Sequence, residues 1–249
     1  MSGAPALAVS GLSRSFGGLR AVRDVGFEVR PGERRALIGP NGAGKTTLFN
    51  VIAGELSPSE GRVALFGRDV TRLPPHRRAA LGLARTFQIN TLFPSLTVLD
   101  NLLLAVHGVE PTRLHPHRPV ADYPRLCDRA RSVLDRVGLG GSEETVVRTL
   151  SHGEQRQLEV GMALASEPRL LLLDEPMAGL SLAESQRFTS LLQRLDPSMS
   201  LLMIEHDMDV VFGVAERITV LHHGQVVADG TCDEVRRSPL VTEIYLGTG

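Results

Sequence analysis

The chain has 249 residues, 27 of them Lys or Arg and 28 Asp or Glu, for a net charge of −1. That length accommodates one sizeable core with a second lobe, and the near-zero charge excludes holding nucleic acid by bulk electrostatics. No stretch approaches the ~20 apolar residues of a membrane span, Met1–Ala8 lacks the pattern of a signal peptide, and two distant cysteines, Cys127 and Cys232, exclude a disulfide framework and suit a reducing cytoplasm.

Ala6–Val9 and Val25–Val29 are short apolar runs that predict strands, with a turn at Pro31-Gly32. Arg34–Ile38 predicts a strand running into the glycine-rich stretch Gly39–Gly44. An apolar helix over Thr46–Ala53 follows, stopped by Gly54. Gly61–Gly67 predicts another strand. Residues 89–167 read as mostly helical, with helical spacing over Val98–Val106 and Arg125–Val137 and a Pro- and His-rich surface loop at 108–124. Leu170–Leu173 is uniformly apolar, the pattern of a parallel strand buried on both faces. A helix over Ser181–Leu195, a strand over Leu201–Ile204 and a helix from Met208 come next. Ile218–Leu221 and Gln225–Asp229 flank His222-His223-Gly224 as a hairpin. This alternation predicts an α/β sheet with ligands at the carboxyl ends of its strands.

Twenty-six of the basic residues are Arg, and the single Lys is Lys45. It falls in Gly39-Pro40-Asn41-Gly42-Ala43-Gly44-Lys45-Thr46, followed by Thr47, which matches the pattern G-x-x-x-x-G-K-S/T. Glycines let backbone N–H groups curl around phosphate oxygens, and the helix that follows points its N-terminal dipole at the anion. Lys45 supplies a compact charge for the β- and γ-phosphates and Thr46 a hydroxyl for Mg²⁺. The pattern therefore points to a nucleotide.

Asp174 and Glu175 stand where the leucine strand ends. There Asp174 can hold Mg²⁺ through water, and Glu175 can orient or deprotonate the water that attacks a γ-phosphate. A third strand end carries Glu205-His206-Asp207. His206 is placed to hydrogen-bond the γ-phosphate and the attacking water.

Leu150-Ser151-His152-Gly153-Glu154-Gln155 opens a helix about twenty residues ahead of Asp174-Glu175. Ser151-x-x-Glu154 has the form of a capping box, as do Ser181-x-x-Glu184 and Thr231-x-x-Glu234. The order of motifs resembles the ATP-binding cassette (ABC) ATPases, whose signature loop is L-S-G-G-Q. His152 replaces the first of its two adjacent glycines and Glu154 the glutamine, while Ser151 and Gly153 are kept. Ser181 stands where an aspartate is often found.

The resemblance implies an α/β P-loop fold with a RecA-like core sheet, an N-terminal antiparallel β subdomain and a helical signature subdomain. It would form a single domain over 1–249, with the core in about 1–88 and 168–249 and the helical part in about 89–167. It further implies that Phe16, ahead of the first sheet, stacks on adenine, and that Gln88 joins Mg²⁺ to a transmembrane partner. Ser151, His152, Gly153 and Glu154 would face the ATP of a partner subunit. The expected cofactors are ATP and Mg²⁺. The expected partners are a second ABC ATPase subunit, two permeases and, indirectly, an extracytoplasmic solute-binding protein, with no nucleic acid. The chain would sit peripherally on the cytoplasmic face of the membrane. Within the family, Phe16-Gly17-Gly18-Leu19, Ala84-Arg85-Thr86-Phe87-Gln88, Thr97-Val98-Leu99-Asp100-Asn101, Ile204-Glu205-His206-Asp207-Met208 and Tyr245-Leu246-Gly247 look like the ATPases of branched-chain amino-acid importers. Related urea-importer ATPases and a soluble, iron–sulfur-cluster-assembly type of ABC ATPase are the alternatives.

Overall fold

A computed structural model describes residues 3–86, 92–109 and 123–246. In chain order the described elements are β1 (Leu7–Phe16), β2 (Leu19–Val29), β3 (Arg34–Ile38), α1 (Lys45–Ala53), β4 (Glu60–Leu65), β5 (Arg68–Asp69), α2 (Pro75–Ala79), β6 (Leu83–Arg85), α3 (Val98–Val109) and α4 (Pro124–Val137). Then come α5 (His152–Leu164), β7 (Leu170–Asp174), α6 (Leu182–Arg194), β8 (Ser200–Ile204), α7 (Met208–Val214), β9 (Arg217–His222), β10 (Gln225–Thr231), α8 (Cys232–Arg236) and α9 (Pro239–Leu246).

The chain divides into two compact units. The first comprises Met1–Arg85, Arg169–Pro176 and Asp196–Gly249, and holds both sheets. One sheet has the order β2-β1-β4-β5 and is antiparallel. The other has the order β10-β9-β3-β8-β7-β6, with only β10 antiparallel to its neighbour. Strands β7 and β8 are buried along their whole length. Apolar side chains on both faces are what such a central parallel strand needs. Parallel pairing also brings the carboxyl ends of β3, β7 and β8 to one edge. Strand β8 separates the strand that feeds the glycine loop from the strand that ends in Asp174, which sets those two ends roughly 10 Å apart.

Strands β1 and β2 run much longer than the two apolar runs predicted. Phe16, expected ahead of the first sheet, is the last residue of β1 and pairs with Leu19 across the Gly17-Gly18 turn. The strand is half exposed and bulged, so Ser and Arg interrupt its apolar pattern. The hairpin predicted around His222-His223-Gly224 is β9–β10.

The second unit comprises Thr86–Pro168 and Met177–Leu195, and so includes α6. Helices α3, α4 and α5 pack on one another, and α5 also meets α6. Helix α4 is amphipathic, burying Leu126, Ala130, Val133, Leu134 and Val137. All three predicted capping boxes are formed: at Ser151 on α5, Ser181 on α6 and Thr231 on α8. Among the described residues no helix is long and apolar enough to cross a membrane.

Candidate nucleotide site

The loop after β3 can only be built from glycine at two of its positions. A Cβ on Gly39 would lie 2.1 Å from the Leu221 carbonyl oxygen, and one on Gly44, at φ 100°, 2.3 Å from that of Ala21. Both contacts are far inside van der Waals distance, so the loop is pressed against the β9–β10 turn and the start of β2. Hydrogen bonds fix it there. The Gly224 N–H donates to the Ala43 carbonyl (2.9 Å) and the Arg23 N–H to that of Gly224 (2.7 Å). Gly44 precedes α1 with no side-chain cap, and no acidic residue occupies the first turn. The helix therefore presents its N-terminal N–H groups to an incoming anion.

Lys45 is 7% exposed, and its Nζ donates to the carbonyls of Gly39 (2.6 Å) and Pro40 (3.0 Å). Burial lowers its pKa, against the opposing pull of Glu175 and Asp174. Those two carboxylates enter from the end of β7. Asp174 is buried; its Oδ2 accepts from Arg85 Nη2 (2.9 Å), while its Oδ1 is buried with no hydrogen bond. Burial raises its pKa, and Arg85 works against that rise. Glu175 adopts a left-handed backbone at φ 46° and ties its N–H to the Ile204 carbonyl (3.0 Å). A non-glycine residue held there carries local strain of the kind that clusters at functional sites.

A cavity of about 450 Å³ gathers Asn41, Gly42, Ala43, Gly44, Lys45, Thr46 and Thr47 with Phe16 and Glu175. Arg20, Arg23 and His223 line it as well. Sequence reasoning gave these three no role at a nucleotide, because Arg20 and Arg23 enter from β2 and His223 from the β9–β10 turn, far in sequence from the glycine loop or without a motif of their own. His206 does not line the cavity. Its side chain is 67% exposed, with Nδ1 3.9 Å from the fully buried Glu205 carboxylate, which also accepts the His206 N–H (3.1 Å). Gln88 lies outside the described residues.

The donor set fits a hard cation. The Thr46 side chain is exposed on the cavity, and Asp174 keeps one unpaired buried oxygen. Oxygen donors of this kind suit Mg²⁺. Among the described residues no cluster of three or more His, Cys, Asp or Glu offers a different metal centre.

In the second unit, the Ser151 hydroxyl accepts the Glu154 N–H (3.2 Å), and the Glu154 carboxylate accepts the Ser151 N–H (2.8 Å). Glu154, standing where the family pattern has glutamine, is thus engaged with the backbone of its own loop. His152 is exposed. The Gly153 N–H donates to Glu184 Oε1 (3.1 Å), so α6 lays a carboxylate on the start of α5. The Ser181 hydroxyl and N–H, then Gly153 and Ser151, hold the Glu184 pKa down to about 2. A Cβ on Gly153 would meet the Glu184 side chain at 2.9 Å, so glycine is needed for this approach. Sequence reading had noticed Glu184 only as a cap.

Loop, sheet order and carboxylate pair define a P-loop nucleotide-binding domain with a RecA-like core. Comparison with known proteins narrows this. The model of the ABC transporter family matches residues 22–178. The high-affinity branched-chain amino acid transport ATP-binding protein LivG of Salmonella typhimurium is 41% identical over 251 residues, covering 98% of each chain. BraF of Pseudomonas aeruginosa, named for the same transport, is 38% identical with 98% of each chain covered. A crystal structure of a nucleotide-free ATP-binding cassette from an ABC transporter superposes with a TM-score of 0.85 at 29% identity, over 97% of this chain and 98% of that one. A cassette in its ADP conformation superposes with a TM-score of 0.84, also at 29% identity, over 98% and 99%. The chain belongs to the ABC transporter family, as one of its ATP-binding, ATP-hydrolysing cassettes.

Proposed function

We propose that this chain binds ATP at Gly39–Thr47 and hydrolyses it to drive an importer whose solutes are branched-chain or other hydrophobic amino acids. The observation that carries the catalytic reading is the meeting of Lys45 and the left-handed Glu175 on one cavity at the carboxyl ends of the parallel strands of one sheet. The solute class rests on the likeness to LivG and BraF along almost the whole chain.

Lys45 exchanges its two loop carbonyls for β- and γ-phosphate oxygens, and the α1 N–H groups share that charge. Thr46 and, through water, Asp174 would hold Mg²⁺, with Gln88 as a further donor; the ion, when bound, neutralises charge on the phosphate oxygens. Glu175 accepts a proton from the water that attacks the γ-phosphorus. His206 reaches the γ-phosphate from its exposed position at the end of β8. Phe16 stacks on adenine. One chain supplies one P-loop and one signature loop, so a second cassette, identical or different, completes each site. Ser151 and the start of α5 then serve the ATP held by the partner. Closure of the pair on ATP and reopening on hydrolysis work the permeases, because ATP favours the closed state.

The reading places the chain peripherally on the cytoplasmic face, against two permeases fed by an extracytoplasmic binding protein. The stretch 88–93 is the docking segment. Phe93 is 49% exposed, while the side chain of the fully buried Asn101 holds its N–H (2.7 Å) and its carbonyl (3.1 Å). That arrangement displays an apolar ring on a fixed turn; the neighbouring Leu92 is buried and serves the core instead.

Glu175→Gln tests the mechanism. Turnover should fall roughly 100-fold or more, with ATP binding retained and ATP-bound cassette pairs accumulating on sedimentation. A wild-type rate from this variant would remove Glu175 as the base.

A further inference from the structure

Phe16 and Arg14 are two residues apart on β1, where the pairing register slips between Arg14 and Ser15, and their side chains meet there. The Arg14 guanidinium carbon lies 4.7 Å from the centroid of the Phe16 ring. Its Nη1 donates to the Ser57 carbonyl (2.9 Å), which ties the group to the segment before β4. Its Nε is buried and makes no hydrogen bond, and the π face of Phe16 offers the cation a favourable contact. The backbone around the pair is clamped as well. The Ser59 N–H donates to the Ser13 carbonyl (2.8 Å), and the Ser15 N–H to the Ser59 hydroxyl (3.1 Å). Phe16 itself is 44% exposed and lines the cavity that holds the glycine loop.

We propose that Arg14 is a positioning residue for the nucleotide base, acting through Phe16 without touching the nucleotide. The inference rests on the reading of Phe16 as the surface that stacks on adenine. Two effects follow from the geometry. A ring pinned under a tethered guanidinium holds one orientation before the base arrives, so less rotamer freedom is lost on binding. The cation also draws on the π density of the ring, and a less electron-rich face stacks better on an electron-rich purine. Both effects act on the base alone. The phosphates bind through Lys45 and the α1 N-terminus and gain nothing from Arg14. In this chain the energy of base recognition is therefore shared between an aromatic ring and a cation that backs it.

The test is isothermal titration of the full chain with MgADP and with magnesium pyrophosphate, neither of which is hydrolysed at the phosphoryl group that Glu175 serves. Arg14→Met keeps the apolar stem and removes the charge. It should weaken ADP binding roughly two- to fivefold and leave pyrophosphate binding unchanged. Arg14→Lys restores a cation but not the planar guanidinium whose Nη1 bonds Ser57, so its ADP affinity should fall between the two. In a Phe16→Ala background Arg14→Met should have no effect on ADP. Equal losses for ADP and pyrophosphate in Arg14→Met would overturn the proposal, since the hairpin would then be acting on the phosphate loop. So would an Arg14→Met loss that persists without Phe16. Full ADP affinity in Arg14→Met beside a weakened Phe16→Ala overturns the role of Arg14 and leaves Phe16 as the base platform. Undiminished ADP affinity in Phe16→Ala removes the base platform and the role of Arg14 together.

Discussion

Asp174 divides its carboxylate, one oxygen on Arg85 and the other buried without a partner. A charged group so placed costs more in the empty fold than in water. With its pKa raised in the folded state, Asp174 favours folding at low pH, and that contribution is lost as pH rises through the folded value. At neutral pH the ionised side chain therefore works against stability. Asp174→Asn should raise the urea midpoint of the nucleotide-free chain near pH 7, with the gain shrinking as pH falls toward and below the ordinary aspartate range, where the wild-type carboxyl takes up its proton. Asparagine keeps an oxygen for Arg85, whose charge is still met by Glu55 (3.0 Å), so the gain should survive loss of the Asp174 charge, while Mg²⁺-dependent turnover should collapse. Arg85→Met should do the reverse to stability, since it strips the buried carboxylate of its counter-charge.

Helix α1 begins open and ends closed. Its start faces the cavity uncapped, but the carbonyls of Val51 and Ile52 in its last turn both accept from Arg78 Nη1, at 2.7 and 2.6 Å. The same guanidinium reaches Leu73 (2.9 Å) and Thr71 (3.2 Å), and the side chain is buried. One cation thus satisfies orphan carbonyls, sits at the negative end of the helix dipole and ties α2 to α1. Arg78→Met should cost about 2–4 kcal/mol in urea unfolding, whereas Arg77→Met, at an exposed neighbour, should stay within about 0.5 kcal/mol. The contrast bears on what the sequence could disclose. Strands β7 and β8 were legible because burial on both faces demands long apolar runs, β3 because its Ala36–Ile38 run leads straight into the glycine loop although the buried Arg35 interrupts the pattern, and the three helix starts because a capping box is complete within four residues. Arg78 was not, because its carbonyl partners lie as far as 27 positions away and carbonyls leave no mark on residue type. Glu184 on Gly153, 31 positions apart, and Arg85 on Asp174, 89 apart, escaped for the same reason. The glycine loop and Glu175 could be read; the latch formed by Gly224, the exposed setting of His206 and the cation behind Phe16 could not.

At the scale of the molecule, the phosphate loop and the signature loop belong to different compact units, and each unit holds its own motif with internal hydrogen bonds. The chain is close to electrically neutral, so attraction to a partner must come from local surfaces such as the exposed Phe93. Neutrality here is reached almost without lysine, and the single exception is folded inward at the first residue of α1. A protease that cuts only after lysine therefore finds one scissile bond in the whole chain, and finds it hidden inside the nucleotide site. Cleavage requires the loop and α1 to open, so its rate follows the population of that opened form. With ADP at a hundred times its Kd, the cut should slow about a hundredfold, scored on a gel as the survival of one band against the appearance of two. The buried ammonium thus makes the chain a proteolytic gauge of its own occupancy, with no label attached.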